Sequence, residues 1–159
     1  MKRLSRHDVV PGWQTRLLTD PGAVALAFQP IIALSRGVTA GYEALARFDL
    51  GPPDSPDAWL RRAAEAGIRR EVETVLIERA LEARALLPAN VFLGVNVSPA
   101  VLAGGDPFAG RGDLRGAVVE VTESPAEGAD EALVRGLERV RRRGAVGAAF
   151  QVIARDGAF

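Results

Sequence analysis

Two rhythms of apolar and polar residues run along this chain, one of period two and one of three to four. From Val24 to Leu34 an apolar run with Phe28, Ile31 and Ile32 is short enough for a buried strand. Arg36-Gly37 breaks it and Val38 to Arg47 follows as a second strand, so the pair is expected to form a hairpin. Asp49 to Pro56 is a Gly/Pro/Asp loop in which Ser55 is placed to cap a short helix, Asp57 to Ala66, that ends at Gly67. In the next helix Val72, Val75, Leu76, Ala80, Ala83 and Leu87 recur at helical spacing while Glu71, Glu78, Arg79 and Glu82 face water, and Pro88 stops it. Period two then returns. Val91, Leu93, Val95 and Val97 share one face of a strand and Phe92, Gly94 and Asn96 the other. Gly116 to Thr122 repeats the pattern, with Val119 and Val121 opposite Val118, Glu120 and Thr122. Glu131 to Arg143 reads as a helix with Leu133, Leu137 and Val140 inward, and Ala145 to Val152 as one more strand.

The predicted layout is β-β-α-α-β-α-β-α-β, in which alternating strands and helices imply parallel pairing through crossovers. Residues 1–23 are expected to be a leader ending in the turn residues Asp20-Pro21-Gly22, and 24–159 a single domain.

Composition narrows the function classes. Twenty basic residues balance twenty acidic ones, which removes any global attraction to nucleic acid or anionic membrane. The absence of Cys excludes thiolate nucleophiles, zinc knuckles and iron–sulfur ligation. Nineteen of the basic residues are Arg, and the one Lys is Lys2. The uncharged stretch Ala85–Gly105 is interrupted by Pro88, Asn90, Asn96, Ser98 and Pro99 and reads as soluble core, not as a membrane span. No apolar export segment follows the charged residues before Trp13, so a cytoplasmic protein is expected.

In α/β architectures the chemistry collects at the carboxyl ends of the strands. Three polar residues fall there: Glu43, Asn96 and Glu120. If the apolar rows pack on helices, Asn96 and Glu120 point to the opposite, inner face, where a bare carboxylate is costly unless paired or metal-bound. Two carboxylates and an amide oxygen make a hard, oxygen-only site of the kind Mg²⁺, Mn²⁺ or Ca²⁺ accepts. The competing reading is that Glu43 and Glu120 are rim carboxylates paired with Arg47 or another Arg.

Four segments carry a resemblance. Phe28-Gln29-Pro30-Ile31, Gly41-Tyr42-Glu43-Ala44-Leu45-Ala46-Arg47, Asn96-Val97-Ser98-Pro99 and Glu120-Val121-Thr122-Glu123-Ser124 resemble the first four signature blocks of the EAL domain family, in order and at about its spacing. Ala64-Glu65-Ala66-Gly67 fits between the second and third. The resemblance implies an α/β fold, a partial TIM-type barrel of about five strands with the first two as a hairpin. It also implies descent from phosphodiesterases that open cyclic-di-GMP to linear pGpG, using two Mg²⁺ or Mn²⁺ ions to polarise the phosphate and activate water. By resemblance Glu43, Asn96 and Glu120 are metal ligands, Gln29 and Arg47 contact the nucleotide, Leu45 lines its site and Glu123 braces a neighbouring loop.

The later blocks of the family do not follow. Its paired aspartates should fall near Phe150-Gln151, Asp156 is the only acid after Glu138, and no lysine follows Lys2 to take the proton-transfer role. The chain is therefore expected to be the N-terminal part of such a domain, truncated or shifted in frame near residue 144, and catalytically deficient. The alternative is a non-catalytic module that binds cyclic-di-GMP, or that pairs its open barrel edge with a partner protein or a second copy; nucleic acid and membrane are not expected partners. Gly104-Gly105-Asp106-Pro107-Phe108 is similar to a cyclase motif but has Pro107 where that motif needs Glu, Arg141-Arg142-Arg143 reads as a solvated helix end, and His7 stands without an assignable partner.

Overall fold

In the computed structural model, residues 12–51, 53–122, 131–145 and 147–151 are described, the last group by its backbone. A five-stranded sheet has the order β1-β2-β3-β4-β5, from β1 (Val24–Ala33), β2 (Val38–Phe48), β3 (Phe92–Val97), β4 (Ala117–Thr122) and β5 (Gly147–Gln151). The β1–β2 pair is an antiparallel hairpin whose register shifts between Ile31 and Ile32, and the remaining pairs are parallel. Gly37, at φ 64°, supplies the left-handed residue of the turn, where its N–H and that of Arg36 both donate to the Ala33 carbonyl.

Five helices accompany the strands: α1 (Trp13–Thr19), α2 (Pro56–Glu65), α3 (Arg69–Arg84), α4 (Pro99–Ala103) and α5 (Glu131–Arg142). Ser55 caps α2 by accepting from Ala58 N, with Pro56 at the first position. Gly67 and Ile68 donate back to Ala64 and Ala63, and Gly67 has φ 72°, the two-bond arrangement that ends helices in a left-handed residue.

The apolar row of β3 (Leu93, Val95, Val97) and that of β4 (Val119, Val121) are all 3% exposed or less. They pack on Ile77 and Ala80 of α3, Val101 and Leu102 of α4, and Leu133 and Val140 of α5. A second cluster joins Leu17, Val24, Trp59, Ala63 and Val72, with Trp13 packed against it. The leader assignment thus takes in a helix, α1, whose Trp13 ring lies 5.8 Å from that of Trp59. At seven residues without a side-chain cap, α1 offers almost no periodic signal. The inward stripe of α3 is also corrected: it runs through Val72, Glu73, Ile77 and Ala80, whereas Val75 is only half-buried.

Arginine side chains hold the loops. Arg16 donates to Asp49 O, Arg70 to Val101 O, Arg84 to Gly116 O, Arg139 to Leu102 O and Gly105 O, and Arg143 to Gly112 O and Asp106 Oδ2. Arg139 and Arg143, in and just after α5, therefore clamp the 102–112 loop, so the run Arg141-Arg142-Arg143 is not wholly a solvated end. In that loop Asp106 Oδ1 accepts from Phe108 N and Phe108 is fully buried, so the Gly104–Phe108 segment is a packed turn. Among the described residues no helix is long and apolar enough to cross a membrane.

Helix α5 rests directly on the backbone of α4. A Cβ at Gly136 would stand 2.7 Å from Leu102 O and 3.1 Å from Leu102 C, neither of which can swing aside. Helix propensity alone makes Gly136→Ala stabilising by about 1 kcal/mol. We expect the opposite sign, a lower urea midpoint at unchanged m-value, because the added methyl levers α5 off α4.

Candidate functional site

Parallel pairing of β2, β3 and β4 lines up the strand ends. Glu43 lies beside Gly94, and Asn96 beside Glu120. Because each polar residue alternates with a buried one (Ala44, Val95 and Val97, Val119 and Val121), all three project from the face opposite the helices. Gln29 lies directly across the hairpin from Glu43, and Leu45 and Arg47 continue the same face of β2. Six of the seven residues singled out in the sequence are thus on one surface. The seventh, Glu123, lies outside the described residues, as do His7 and Asp156.

Three groups converge. Asn96 Nδ2 donates to Glu43 Oε1 at 2.8 Å. That bond engages the nitrogen of the amide, and its oxygen, Asn96 Oδ1, is buried with no hydrogen-bond partner. A buried acceptor left unmade costs about 1–3 kcal/mol. The Glu120 carboxyl leans over Gly94 toward β2. Burial, and then the Glu43 charge, push its pKa above the usual carboxylate value.

Among the described residues no arginine pairs with Glu43 or Glu120. Arg47 is exposed and donates to the neighbouring Ala46 carbonyl at 2.8 Å, so the rim-pairing alternative is not realised. The donor set is two carboxylates without a cation and one orphaned amide oxygen, which fits a hard divalent ion. Among the described residues no group of three acidic, His or Cys side chains surrounds a point, so the amide oxygen is needed to complete even a three-donor set.

A cavity of about 220 Å³ opens beside these groups, between the strand ends and α2 and α3, lined in part by Glu43, Leu45, Asp57, Arg69, Glu73 and Asn96. Glu73 is a residue the sequence reading passes over. It is 3% exposed, paired with Arg69, and its Oε2 accepts from Ser98 N at 2.9 Å, while Ser98 Oγ caps α4 at Val101 N. Its spacing of four and seven to Ile77 and Ala80 was the available signal: an acid on the apolar stripe needs a buried partner. Glu73 anchors the turn that immediately follows Asn96.

A carboxyl whose pKa is raised by folding keeps its proton in the folded chain where the unfolded chain has lost it, so stability falls as pH rises above the ordinary value of 4.5. Denaturation from pH 4.5 to 8 is expected to show that loss in the unaltered chain and a flatter profile in Glu120→Gln, which is the more stable of the two at neutral pH. Parallel profiles for the two chains contradict this account.

Comparison with known proteins agrees with the geometry. No curated protein sequence matches the chain. Among solved structures, the PaMucR phosphodiesterase in complex with c-di-GMP superposes with TM-score 0.66 at 23% identity, over 80% of this chain and 59% of that one. The Bacillus subtilis YkuI protein, with an EAL domain in complex with c-di-GMP and calcium, gives 0.66 and 23% over 94% and 40%. Klebsiella pneumoniae BlrP1 as a manganese/c-di-GMP complex gives 0.65 and 23% over 81% and 35%. The chain therefore spans between about a third and three-fifths of each of these proteins, and the likeness establishes the fold: an α/β, partial TIM-type barrel opened by an antiparallel hairpin. The EAL domain model matches residues 14–146, and the chain belongs to the EAL domain family.

Proposed function

We propose that this chain works in cyclic-di-GMP signalling, binding the dinucleotide together with a divalent cation without hydrolysing it. The observation that carries the reading is the orphaned Asn96 Oδ1 beside two carboxylates that have no cationic partner among the described residues, at the strand ends of an EAL domain. The structural neighbours YkuI and BlrP1, complexes of c-di-GMP with calcium and with manganese, support it.

Glu43, Asn96 and Glu120 would hold Mg²⁺ or Mn²⁺. Such an ion supplies positive charge against a phosphodiester and polarises it. Arg47, exposed on the same face and not engaged by either acid, offers a planar fork for a phosphate. Gln29, opposite Glu43, offers both a donor and an acceptor to a base or ribose, and Leu45 an apolar edge. Glu123 would brace a neighbouring active-site loop.

Hydrolysis needs more than this set. The backbone register puts Phe150 beside Val121 and Gln151 beside Thr122, next to the layer holding Glu120, and these two residues stand where the family resemblance calls for an aspartate pair. The only lysine in the 159 residues is Lys2. We read the chain as part of an EAL domain of a cytoplasmic protein, able to bind, whose 159 residues hold neither an aspartate pair at 150–151 nor a lysine after Lys2 to move the proton. A second reading, a protein-interaction module, draws on β5, which among the described residues ends the strand order with one backbone edge unpaired.

Calorimetry with cyclic-di-GMP and Mn²⁺ is expected to show saturable binding. Replacing a charged hydrogen-bond donor such as Arg47 by Ala should weaken it roughly 10- to 100-fold. A phosphodiesterase assay under the same conditions should show no pGpG. Turnover above the buffer rate excludes the non-hydrolysing reading, and absence of binding alongside a stable complex with another protein favours the second one.

A further inference from the structure

Gly94 has no place in the ligand set, yet the space it leaves is filled by one of the ligands. It lies on the inner face of β3, beside Glu43 of β2 and Val118 of β4. A Cβ built there would overlap Glu120 Oε1 outright, stand 3.2 Å from Glu120 Cδ, and lie 3.6 Å from Glu43 Cα. The Glu120 carboxyl thus occupies the volume that any other residue at position 94 would fill. From β4 it reaches across β3 toward the strand that carries Glu43.

We propose that Gly94 is a positioning residue for the cation site, its missing side chain being the seat that brings the Glu120 carboxylate alongside Glu43 and Asn96. The inference rests on the reading that these three residues hold a divalent ion. Two features separate this seat from an ordinary strand glycine. The φ of Gly94 is not in the left-handed region, so the backbone does not require glycine there. And the obstructing atoms belong to the far end of a long side chain, not to backbone, so an added methyl is accommodated by swinging the carboxyl away and not by parting the strands. Gly41 is the contrast: a Cβ there meets Phe92 ring atoms and Phe92 O, all at 2.7 Å, and the backbone oxygen cannot yield.

The test is Gly94→Ala, compared with the unaltered chain. A melting temperature within a few degrees of the original is expected, with Mn²⁺ binding, followed by electron paramagnetic resonance, at least tenfold weaker. Metal-free crystal structures of both chains should show the Glu120 carboxyl displaced from the space over residue 94 in the variant. Mn²⁺ affinity unchanged in a folded Gly94→Ala chain, or a Glu120 carboxyl in its original place, overturns the inference. If the variant does not fold, the unaltered chain's crystal structure decides: Glu120 packed on the Gly94 Cα supports the seat and Glu120 turned to solvent overturns it. A failure of the cation reading is distinct, since it shows as Mn²⁺ binding in the unaltered chain that Asn96→Ala leaves intact, whatever the crystal structures say of Gly94.

Discussion

The site depends on the two-residue alternation of β3 held in register between β2 and β4. Leu93, Val95 and Val97 are sealed against α3, α4 and α5, and this burial fixes which face Asn96 must take. A slip of one residue would drive Asn96 into the apolar layer and expose three β-branched or leucine side chains, so the hydrophobic effect, not the polar groups, enforces the arrangement. The polar groups then meet in a geometry they would not choose unaided. Two like charges approach, one amide satisfies only one of them, and its oxygen is left without a donor. The apolar layer on one side of the sheet holds this strained constellation on the other.

Much of this was legible from the amino-acid order, for reasons that differ by element. The β3 and β4 strands declare themselves through strict alternation, and the same alternation tells which polar residues oppose the core. The cap at Ser55 and the stop at Gly67 are local chemistry and survive any tertiary context. Other features depend on partners distant in sequence and leave little local trace. Helix α1 is stabilised by the contact of Trp13 with Trp59, not by its own seven residues. The rotation of the α3 stripe onto Glu73 and Ile77 follows from a carboxylate that finds Arg69 on one side and the Ser98 amide on the other. The crowding over Gly94 is less visible still: no pattern within β3 shows that a glutamate from the next strand will lie across it, because that requires the register of three strands at once.

The loops around the sheet are held by a different device. Beside the turn hydrogen bonds of the backbone, guanidinium groups reach across and donate to loop carbonyls: Arg84 at Gly116, Arg139 at Leu102 and Gly105, Arg143 at Gly112. A fork with five donors can hold two acceptors at once, which a single ammonium on a flexible stem does poorly. Arg143 does so with a carbonyl and the Asp106 carboxylate together. Gly116, at φ 78°, allows the Arg84 guanidinium to lie where a side chain would otherwise stand.

The preference for arginine in this role also decides how the molecule meets reagents. A guanidinium stays charged at any pH a cell reaches, so loops held in this way keep their grip as pH changes. And since the one lysine of these 159 residues, Lys2, precedes every described element, amine-directed chemistry finds no lysine on the described helices and strands. An acyl donor, a cross-linker or a fluorescent ester would leave those helices and strands untouched.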